Sequence, residues 1–180
     1  MKTLCVYLGS RPGKDPVYEK KSRELGTWIG ENGWRLVYGG SRIGLMGMLA
    51  ISAMEAGACV IGVEPEYFVQ KELQLEGLDE LIVTKDMAER KAKLIELSDA
   101  FLAFPGGTGT LEEISEIMSG VSLNLIKAPC ILYNLNGYYD PLEDMLDHMT
   151  EQGFVDPENR KKIRFCTDLD SVVRCLEELP

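Results

Sequence analysis

Three glycine-rich segments of the sequence are suited to hold an anion. They span residues 9–13, 39–47 and 105–110 and read GSRPG, GGSRIGLMG and PGGTGT. Glycine has no Cβ, so its backbone can approach a ligand closely, and free N–H groups ahead of a helix bind anions well. The third segment leads directly into a predicted helix, which Thr110 is able to cap. We therefore predict a phosphate or carboxylate at residues 105–110; the alternative is that the glycines only form tight turns.

The helix predicted after the third segment carries several carboxylates. Its apolar residues are spaced by three and four and form one stripe: Leu111, Ile114, Met118, Val121 and Leu125. Glu112, Glu113 and Glu116 lie on the other side, at about 100° per residue. The pattern favours a helix face that is exposed to solvent. Acidic residues in the first turn of such a face interact favourably with the positive end of the helix dipole. The alternative is one carboxylate beside the bound anion, and the pattern does not separate Glu112 from Glu113.

Arg90 and Lys91 are the cations best suited to that anion. They sit in a charged helical segment, MAERKAK, at residues 87–93. Most basic residues on helices are merely solvated, but an acidic protein that binds an anion needs a few placed cations, and arginine suits bidentate contact with phosphate. The usual dinucleotide and ATPase fingerprints do not match, because Gly9 has only Gly13 near it and no Lys-Ser or Lys-Thr pair follows PGG. NAD binding and ATP hydrolysis are both disfavoured.

Short apolar runs alternate with longer amphipathic segments along the chain. The apolar runs predict strands at residues 3–8, 35–38, 59–63, 81–83, 100–104, 130–133 and 163–166. The amphipathic segments predict helices at residues 16–31, 45–56, 87–97, 110–125, 141–152 and 169–179. Asp15 is expected to cap the first helix, with Pro16 at its first position. Residues 64–80 have weak periodicity and are interpreted as a loop with a helical turn.

This alternation predicts parallel strands joined by crossover helices. Strands that are apolar on both faces are expected between two helix layers. The fold class is therefore α/β, a Rossmann-like doubly wound parallel sheet in three layers, with one domain over residues 1–180. Ligands bind such sheets at the carboxyl ends of the strands, where the strand order reverses. All three glycine segments follow predicted strands, and this shared edge favours a ligand site over simple turns.

Charge and composition limit the class of protein. Among 180 residues, 19 Lys and Arg stand against 29 Asp and Glu, so the formal net charge is −10. This balance argues against nucleic-acid binding and against anionic membranes, since both need an excess of basic residues. The single histidine, His148, is expected to be structural, which argues against histidine-based zinc sites and Ser-His-Asp catalysis.

Targeting and cysteine patterns favour a soluble cytoplasmic protein. The start, MKTLCVYLGS, lacks the apolar region of a signal peptide, and no apolar stretch approaches the length of about 18 residues that a membrane span needs. The five cysteines, at residues 5, 59, 130, 166 and 175, are odd in number and have no C-x-x-C spacing. We interpret them as reduced thiols, most of them buried.

Residues 105–113, PGGTGTLEE, preceded by residues 87–91, MAERK, resemble the signature of the Lonely Guy family. Members of that family are cytokinin riboside 5′-monophosphate phosphoribohydrolases, long labelled lysine decarboxylase-like. The resemblance covers essentially the whole chain. It includes GS at residues 9–10, YGG at 38–40, GLMG at 44–47 and NGYY at 136–139.

The resemblance implies a Rossmann-like homodimer that hydrolyses the N-glycosidic bond of AMP or N6-substituted AMP to the free base and ribose 5-phosphate. It implies that Arg90 and Glu113 form the catalytic pair. A larger set is implied to bind the nucleotide: Glu72, Arg90, Lys91, Gly107, Thr108, Gly109, Thr110, Leu111, Glu112 and Ser119, together with Gly9, Ser10, Gly39 and Gly40 at the neighbouring strand ends. No metal or organic cofactor is required, in keeping with the scarcity of histidine.

The chemistry of these residues agrees with such a reaction. Cleavage builds positive charge on the ribose, as in glycoside hydrolysis, and a carboxylate such as Glu113 can stabilise that charge and orient a water. Arg90 is expected to bind the phosphate or to help the departing base. One alternative is a non-catalytic nucleotide-binding or carrier protein, which would have no need of both residues. Another is a pyridoxal-phosphate decarboxylase, for which no Schiff-base lysine stands out.

Overall fold

The computed structural model of the chain describes residues 1–71 and 73–179. Seven strands in this part of the chain form one parallel sheet, in the order β4-β3-β2-β1-β5-β6-β7. The strands are β1 (Thr3–Tyr7), β2 (Arg35–Tyr38), β3 (Val60–Pro65), β4 (Glu80–Thr84), β5 (Ala100–Ala103), β6 (Cys130–Tyr133) and β7 (Ile163–Cys166).

Helices connect the strands. They are α1 (Pro16–Glu31), α2 (Gly44–Glu55), α3 (Glu66–Val69), α4 (Met87–Glu96), α5 (Thr108–Ser122), α6 (Asp140–Glu151), α7 (Pro157–Arg160) and α8 (Leu169–Glu177), with a 3-10 turn at Leu135–Gly137. None of the helices in the described ranges is long and apolar enough to cross a membrane.

The sheet lies between two apolar cores, as the predicted three-layer fold requires. Side chains alternate along β1, so that Leu4 and Val6 pack on one face and Cys5 and Tyr7 on the other. The first face is covered by α1, α2 and α8, and the second by α4, α5 and α6. Strands β1, β5 and β6 are buried along their whole length, which explains why they read as continuous apolar runs, whereas the edge strands β4 and β7 are partly exposed.

The strand order reverses between β1 and β5. From β1 the chain moves outward through β2 and β3 to β4, and it then returns through α4 to β5 on the other side of β1. The loops that follow β1 and β5 therefore diverge and leave a crevice at the carboxyl edge of the sheet. Two of the three glycine segments flank this crevice, and the third follows the adjacent strand β2. The structure confirms the doubly wound α/β fold.

Most element bounds agree with prediction, and α1 shows why. Its N-cap Asp15 accepts a hydrogen bond from the Val17 amide at 2.9 Å, and Gly33 takes a positive φ of 68° just past its end. The beginning of α5 differs. Its N-cap is Gly107, so the helix begins at Thr108, and the prediction that Thr110 caps it is wrong. Thr110 is instead a buried residue of the first turn.

Candidate active site

A cleft of about 660 Å³ opens at the carboxyl edge of the sheet. A volume of this size suits a small-molecule ligand. Nine of the predicted site residues line it: Gly9, Ser10, Gly39, Arg90, Gly107, Thr108, Gly109, Thr110 and Glu113. They come from the loops after β1, β2 and β5 and from helices α4 and α5, so the topology brings together residues up to about a hundred positions apart.

Hydrogen bonds hold the loop after β5 in place from two segments, the loop after β1 and Tyr138 after β6. The Gly9 amide donates to the Pro105 carbonyl at 3.2 Å, and the Tyr138 hydroxyl donates to the Gly106 carbonyl at 2.5 Å. A Cβ on Gly106 would collide with Thr110 and would lie 2.9 Å from the Gly9 nitrogen, so this close approach requires glycine. The loop is thereby held in one position against β1.

The first turn of α5 presents a ready-made anion site to the cleft. The first amides of any α-helix have no partner within the helix, and the helix dipole adds partial positive charge there. Gly107, Thr108 and Gly109 line the cleft at this turn. An added Cβ on Gly107 or Gly109 meets no atom of the described residues within 4 Å, so the backbone is open to a ligand.

Arg90 and Glu113 form a buried ion pair at the same cleft. Arg90 Nη1 donates to Glu113 Oε1 at 2.5 Å, and Arg90 Nε donates to the Val63 carbonyl at 2.9 Å. The two side chains are 10% and 9% exposed. Burial raises the pKa of the Glu113 carboxyl, and the Arg90 charge opposes that rise. The pair joins α4 and α5 across the end of β3.

Glu112 and Glu113 have different surroundings, although they are neighbours. Glu113 shares a buried face of α5 with Ile114 and Ile117, whereas Glu112 is exposed and accepts from Lys91 at 2.9 Å. Glu116 also pairs with Lys91, at 3.2 Å. The solvated interpretation is therefore confirmed for Glu112 and wrong for Glu113.

The predicted apolar stripe of α5 is only partly buried. Its middle residues, Ile114, Met118 and Val121, lie in the core, as expected. Its two ends do not, because Leu111 is 44% exposed and Leu125, which lies past the end of α5, is 78% exposed. Leu125 is exposed because α5 ends at Ser122, whereas Leu111 lies in the first turn of α5 with its side chain exposed.

Several predicted binding residues lie elsewhere. Within the described chain, the following are not part of the cleft lining: Lys91, Leu111, Glu112, Ser119 and Gly40. Glu72 lies outside the described residues. His148, expected to be structural, is a surface residue of α6 with its ring 3.8 Å from the Glu151 carboxylate.

The cleft also contains residues that the sequence analysis did not select. They include Tyr7, Met46, Phe68 and Glu64. Glu64 stands out because it is a carboxylate near the end of the otherwise apolar strand β3, and it is 3% exposed. Burial raises its pKa to about 7. A single acidic residue at the carboxyl end of an apolar strand was the available signal.

Comparison with known proteins identifies a matching family model and several relatives of this chain. A family model described as "Possible lysine decarboxylase" matches residues 46–176. A cytokinin riboside 5′-monophosphate phosphoribohydrolase of Rhodococcoides fascians is 41% identical over 176 residues, which is 97% of this chain and 89% of that protein. One from Arabidopsis thaliana is 37% identical over 177 residues, covering 98% of this chain and 82% of that protein.

Solved structures share the fold. The molybdenum cofactor carrier protein of Chlamydomonas reinhardtii superposes with a TM-score of 0.74 at 22% identity, covering 99% of this chain and 97% of that one. The molybdenum cofactor binding protein of Rippkaea orientalis gives 0.72 at 22% identity, covering 98% and 96%. These identities support likeness of fold alone. The sequence relatives go further, since they match nearly the whole length at well above 30% identity, and the chain therefore belongs to the family of cytokinin riboside 5′-monophosphate phosphoribohydrolases.

Proposed function

We propose that this protein hydrolyses the N-glycosidic bond of AMP or of N6-substituted AMP and releases the free base and ribose 5-phosphate. The observation that carries the proposal is the buried pair of Arg90 and Glu113, which lines the same cleft as the open first turn of α5. Relatives named for this activity match nearly the whole chain.

The substrate phosphate docks against the first turn of α5. A chain with a net charge of −10 repels a phosphate dianion at long range, so a local anion site is needed. Backbone amides and the helix dipole supply it, and two arginines, Arg11 and Arg90, line the same cleft. Binding at this remote group holds the ribose in place and lowers the barrier at the reacting bond.

Glu113 acts on the ribose. The bond between C1′ and the base nitrogen breaks, its electron pair leaves with the base, and positive charge develops on the sugar ring. The Glu113 carboxylate stabilises that charge and orients a water, whose oxygen bonds to C1′. The water proton passes to the carboxylate and then to the base nitrogen. A pKa raised by burial makes the carboxylate a better proton acceptor.

Arg90 keeps Glu113 charged and oriented. Two of its nitrogens are engaged, one with Glu113 and one with the Val63 carbonyl. Its remaining terminal nitrogen, Nη2, has no hydrogen-bond partner among the described residues and lies against Gly39. That nitrogen is available to the departing base or to the phosphate.

The test compares two carboxylates on α5. Glu113→Gln should lower kcat for AMP by at least about 100-fold, because it removes the charge that stabilises the sugar cation. Glu116→Gln is the control, since this side chain lies one turn further along α5, is 46% exposed and is not part of the cleft lining, and it should keep near-normal activity. Base release is measured by chromatography and folding by the melting temperature. Adenosine, which lacks the phosphate, should not be cleaved.

Three results would contradict the proposal. Binding of AMP with no release of base by the wild-type protein would indicate a carrier. Equal cleavage of adenosine and AMP would remove the role of the phosphate. A fall in melting temperature that parallels the loss of activity in Glu113→Gln would indicate that Glu113 serves the fold.

We also propose that the protein acts in the cytoplasm as a homodimer. All five cysteines lie in the described part of the chain and carry free thiols, as suits a reducing compartment. Large apolar side chains exposed after α5 and α6, among them Leu125 and Phe154, support association of two copies.

A further inference from the structure

Glu64 is a buried carboxylate with an unused oxygen at the wall of the cleft. Its side chain is 3% exposed, yet it contributes to the cleft lining. Oε2 has no hydrogen-bond partner among the described residues. The backbone of Gly40 packs against it, with an added Cβ there lying 3.5 Å from Oε2. The carboxylate is therefore held in place, although one of its oxygens has no hydrogen-bond partner among the described residues.

Buried polar atoms are nearly always paired, so an unpaired carboxylate oxygen on a residue that lines a cleft indicates a partner supplied by a ligand. Above its pKa the carboxylate is ionised and only accepts hydrogen bonds, so the partner that it then needs is a hydrogen-bond donor. Burial already raises the pKa of this group to about 7 against the opposing charge of Arg90. A donor from the ligand would stabilise the charged form.

The sheet order shows which part of a nucleotide reaches Glu64. The phosphate loop follows β5, and Glu64 lies in β3, three strands away in the order β5-β1-β2-β3. At about 4.8 Å per strand, this is a separation of about 14 Å. Arg90 spans part of that distance, because it contacts both Glu113 on α5 and the carbonyl of Val63 in β3. With the phosphate at α5 and the ribose at Glu113, the base extends toward β3.

We propose that Glu64 accepts a hydrogen bond from the 6-amino group of the purine and so selects 6-aminopurine over 6-oxopurine nucleotides. This assignment rests on the proposed function. An N6-substituted adenine keeps one N–H and still satisfies the carboxylate. A 6-oxopurine places an acceptor against an acceptor, and sites built to hydrogen-bond a group reject analogues that leave the buried partner unpaired.

Glu64→Gln tests the assignment, because the amide has nearly the same shape and adds a donor. At about pH 8, where Glu64 is ionised, wild-type protein should have a kcat/KM at least about tenfold higher for AMP than for IMP, equivalent to about 1.4 kcal/mol. In Glu64→Gln the ratio should fall at least about tenfold, because the amide nitrogen can donate to O6 of IMP. The ratio of AMP to 2′-deoxy-AMP should not change. Glu66→Gln, an exposed neighbour at the start of α3, is the control and should keep the wild-type ratios.

Two outcomes overturn the assignment while the proposed function stands. One is an equal effect of Glu64→Gln on AMP and IMP. The other is a change in the AMP to 2′-deoxy-AMP ratio alone, which would place Glu64 at the ribose. A wild-type protein that releases no base would instead contradict the proposed function. The dissociation constants of AMP and IMP, measured by calorimetry with Glu113→Gln and with Glu64→Gln/Glu113→Gln, then still decide whether Glu64 selects the base.

Discussion

The ion pair of Arg90 and Glu113 is costly to the fold. Taking two charges out of water costs several kcal/mol per ion, and replacing such pairs with well-packed apolar residues is often neutral or stabilising. Both side chains are about nine-tenths buried, and both line the cleft, where their charges can act on a bound ligand. We infer that the pair exists for the chemistry of the cleft and that the two packed cores supply the stability.

Glu64 predicts a particular pH dependence of stability. Burial raises its pKa from 4.5 to about 7. Between those values the unfolded chain has released the proton while the folded chain keeps it, so stability falls as the pH rises. At about 1.4 kcal/mol per pH unit, the loss amounts to about 3 kcal/mol. Glu64→Gln has no carboxyl at this position and so lacks this loss. Between about pH 4 and about pH 8, the difference in free energy of unfolding between Glu64→Gln and the wild type should therefore shift by about 3 kcal/mol in favour of the variant.

Urea unfolding of both proteins across this pH range measures the effect. Among the residues that the structure describes, Arg90 from α4 and Tyr38 from β2 are the charged or titratable groups that face Glu64. The wild type and Glu64→Gln both retain them, so the difference between the two proteins reports on the Glu64 carboxyl. Glu66→Gln, with an exposed side chain, should follow the wild-type curve. A constant difference between Glu64→Gln and the wild type at every pH would show that Glu64 is ionised or neutral in both states alike.

At the scale of elements, a substitution in the first turn of α5 should have opposite effects on stability and on activity. Gly109 lies in the helix with open space where a Cβ would go, so Gly109→Ala should raise the free energy of unfolding by about 0.5–1 kcal/mol. The added methyl group faces the cleft where the phosphate is proposed to dock, so kcat/KM for AMP should fall. Thermal unfolding and base release on the same preparation measure both effects.

Gly106→Ala is the contrasting variant for this turn. A Cβ there would collide with Thr110 and press on Gly9, so the loop must shift and stability should fall. A Gly109→Ala protein that is more stable and as active as the wild type would contradict phosphate docking at the first turn.

Local signals were enough to predict many elements. The Asp15-Pro16 start and Gly33 stop set α1. Strands β2, β6 and β7 begin and end at the predicted residues, and each is followed directly by glycine or a polar residue: Gly39, Asn134 and Thr167. The start of α5 was missed by two residues. Thr108 and Gly109 are poor helix formers, and contacts of the preceding loop with β1 and Tyr138 hold the backbone that lets the helix begin there.

The site was predictable where one loop or one motif carries it. The glycine segments follow strands, so their shared edge could be predicted from topology. Glu113 could not be separated from Glu112 by pattern, because what buries it is Arg90 on another helix. Glu64 was missed because the strand was predicted to end at residue 63, which put Glu64 in the weakly periodic stretch 64–80, whereas β3 continues to Pro65 in the structure.

At the scale of the whole molecule, the doubly wound topology gives an acidic chain a local site at which an anion can bind. The net charge of −10 is spread over the surface, and Lys91, next to the site, is neutralised by Glu112 and Glu116. The crevice between β1 and β5 instead gathers backbone amides and two arginines, the buried Arg90 and the exposed Arg11. Binding of a phosphate should therefore depend on the fold of this edge more than on surface cations.

The proposed dimer is expected to form through the layer of α5 and α6, because large apolar side chains are exposed there. Leu123, Leu125 and Phe154 are 67%, 78% and 86% exposed, and they follow α5 and α6, which pack on the same face of the sheet. Apolar side chains that remain this exposed in one helix layer are typical of an interface. The wild-type protein should sediment at twice the mass of one chain, and Leu125→Ser/Phe154→Ser should shift it toward one.

Ile51→Ser is the control, because Ile51 is exposed on α2, which belongs to the opposite layer. It should leave the dimer intact, since the proposed interface does not include that layer. A wild-type protein that sediments as one chain at every concentration would contradict the dimer. If Ile51→Ser dissociates the protein and the double variant does not, then the dimer forms through the α1–α2 layer, because only apolar side chains buried by the partner weaken association when they are made polar.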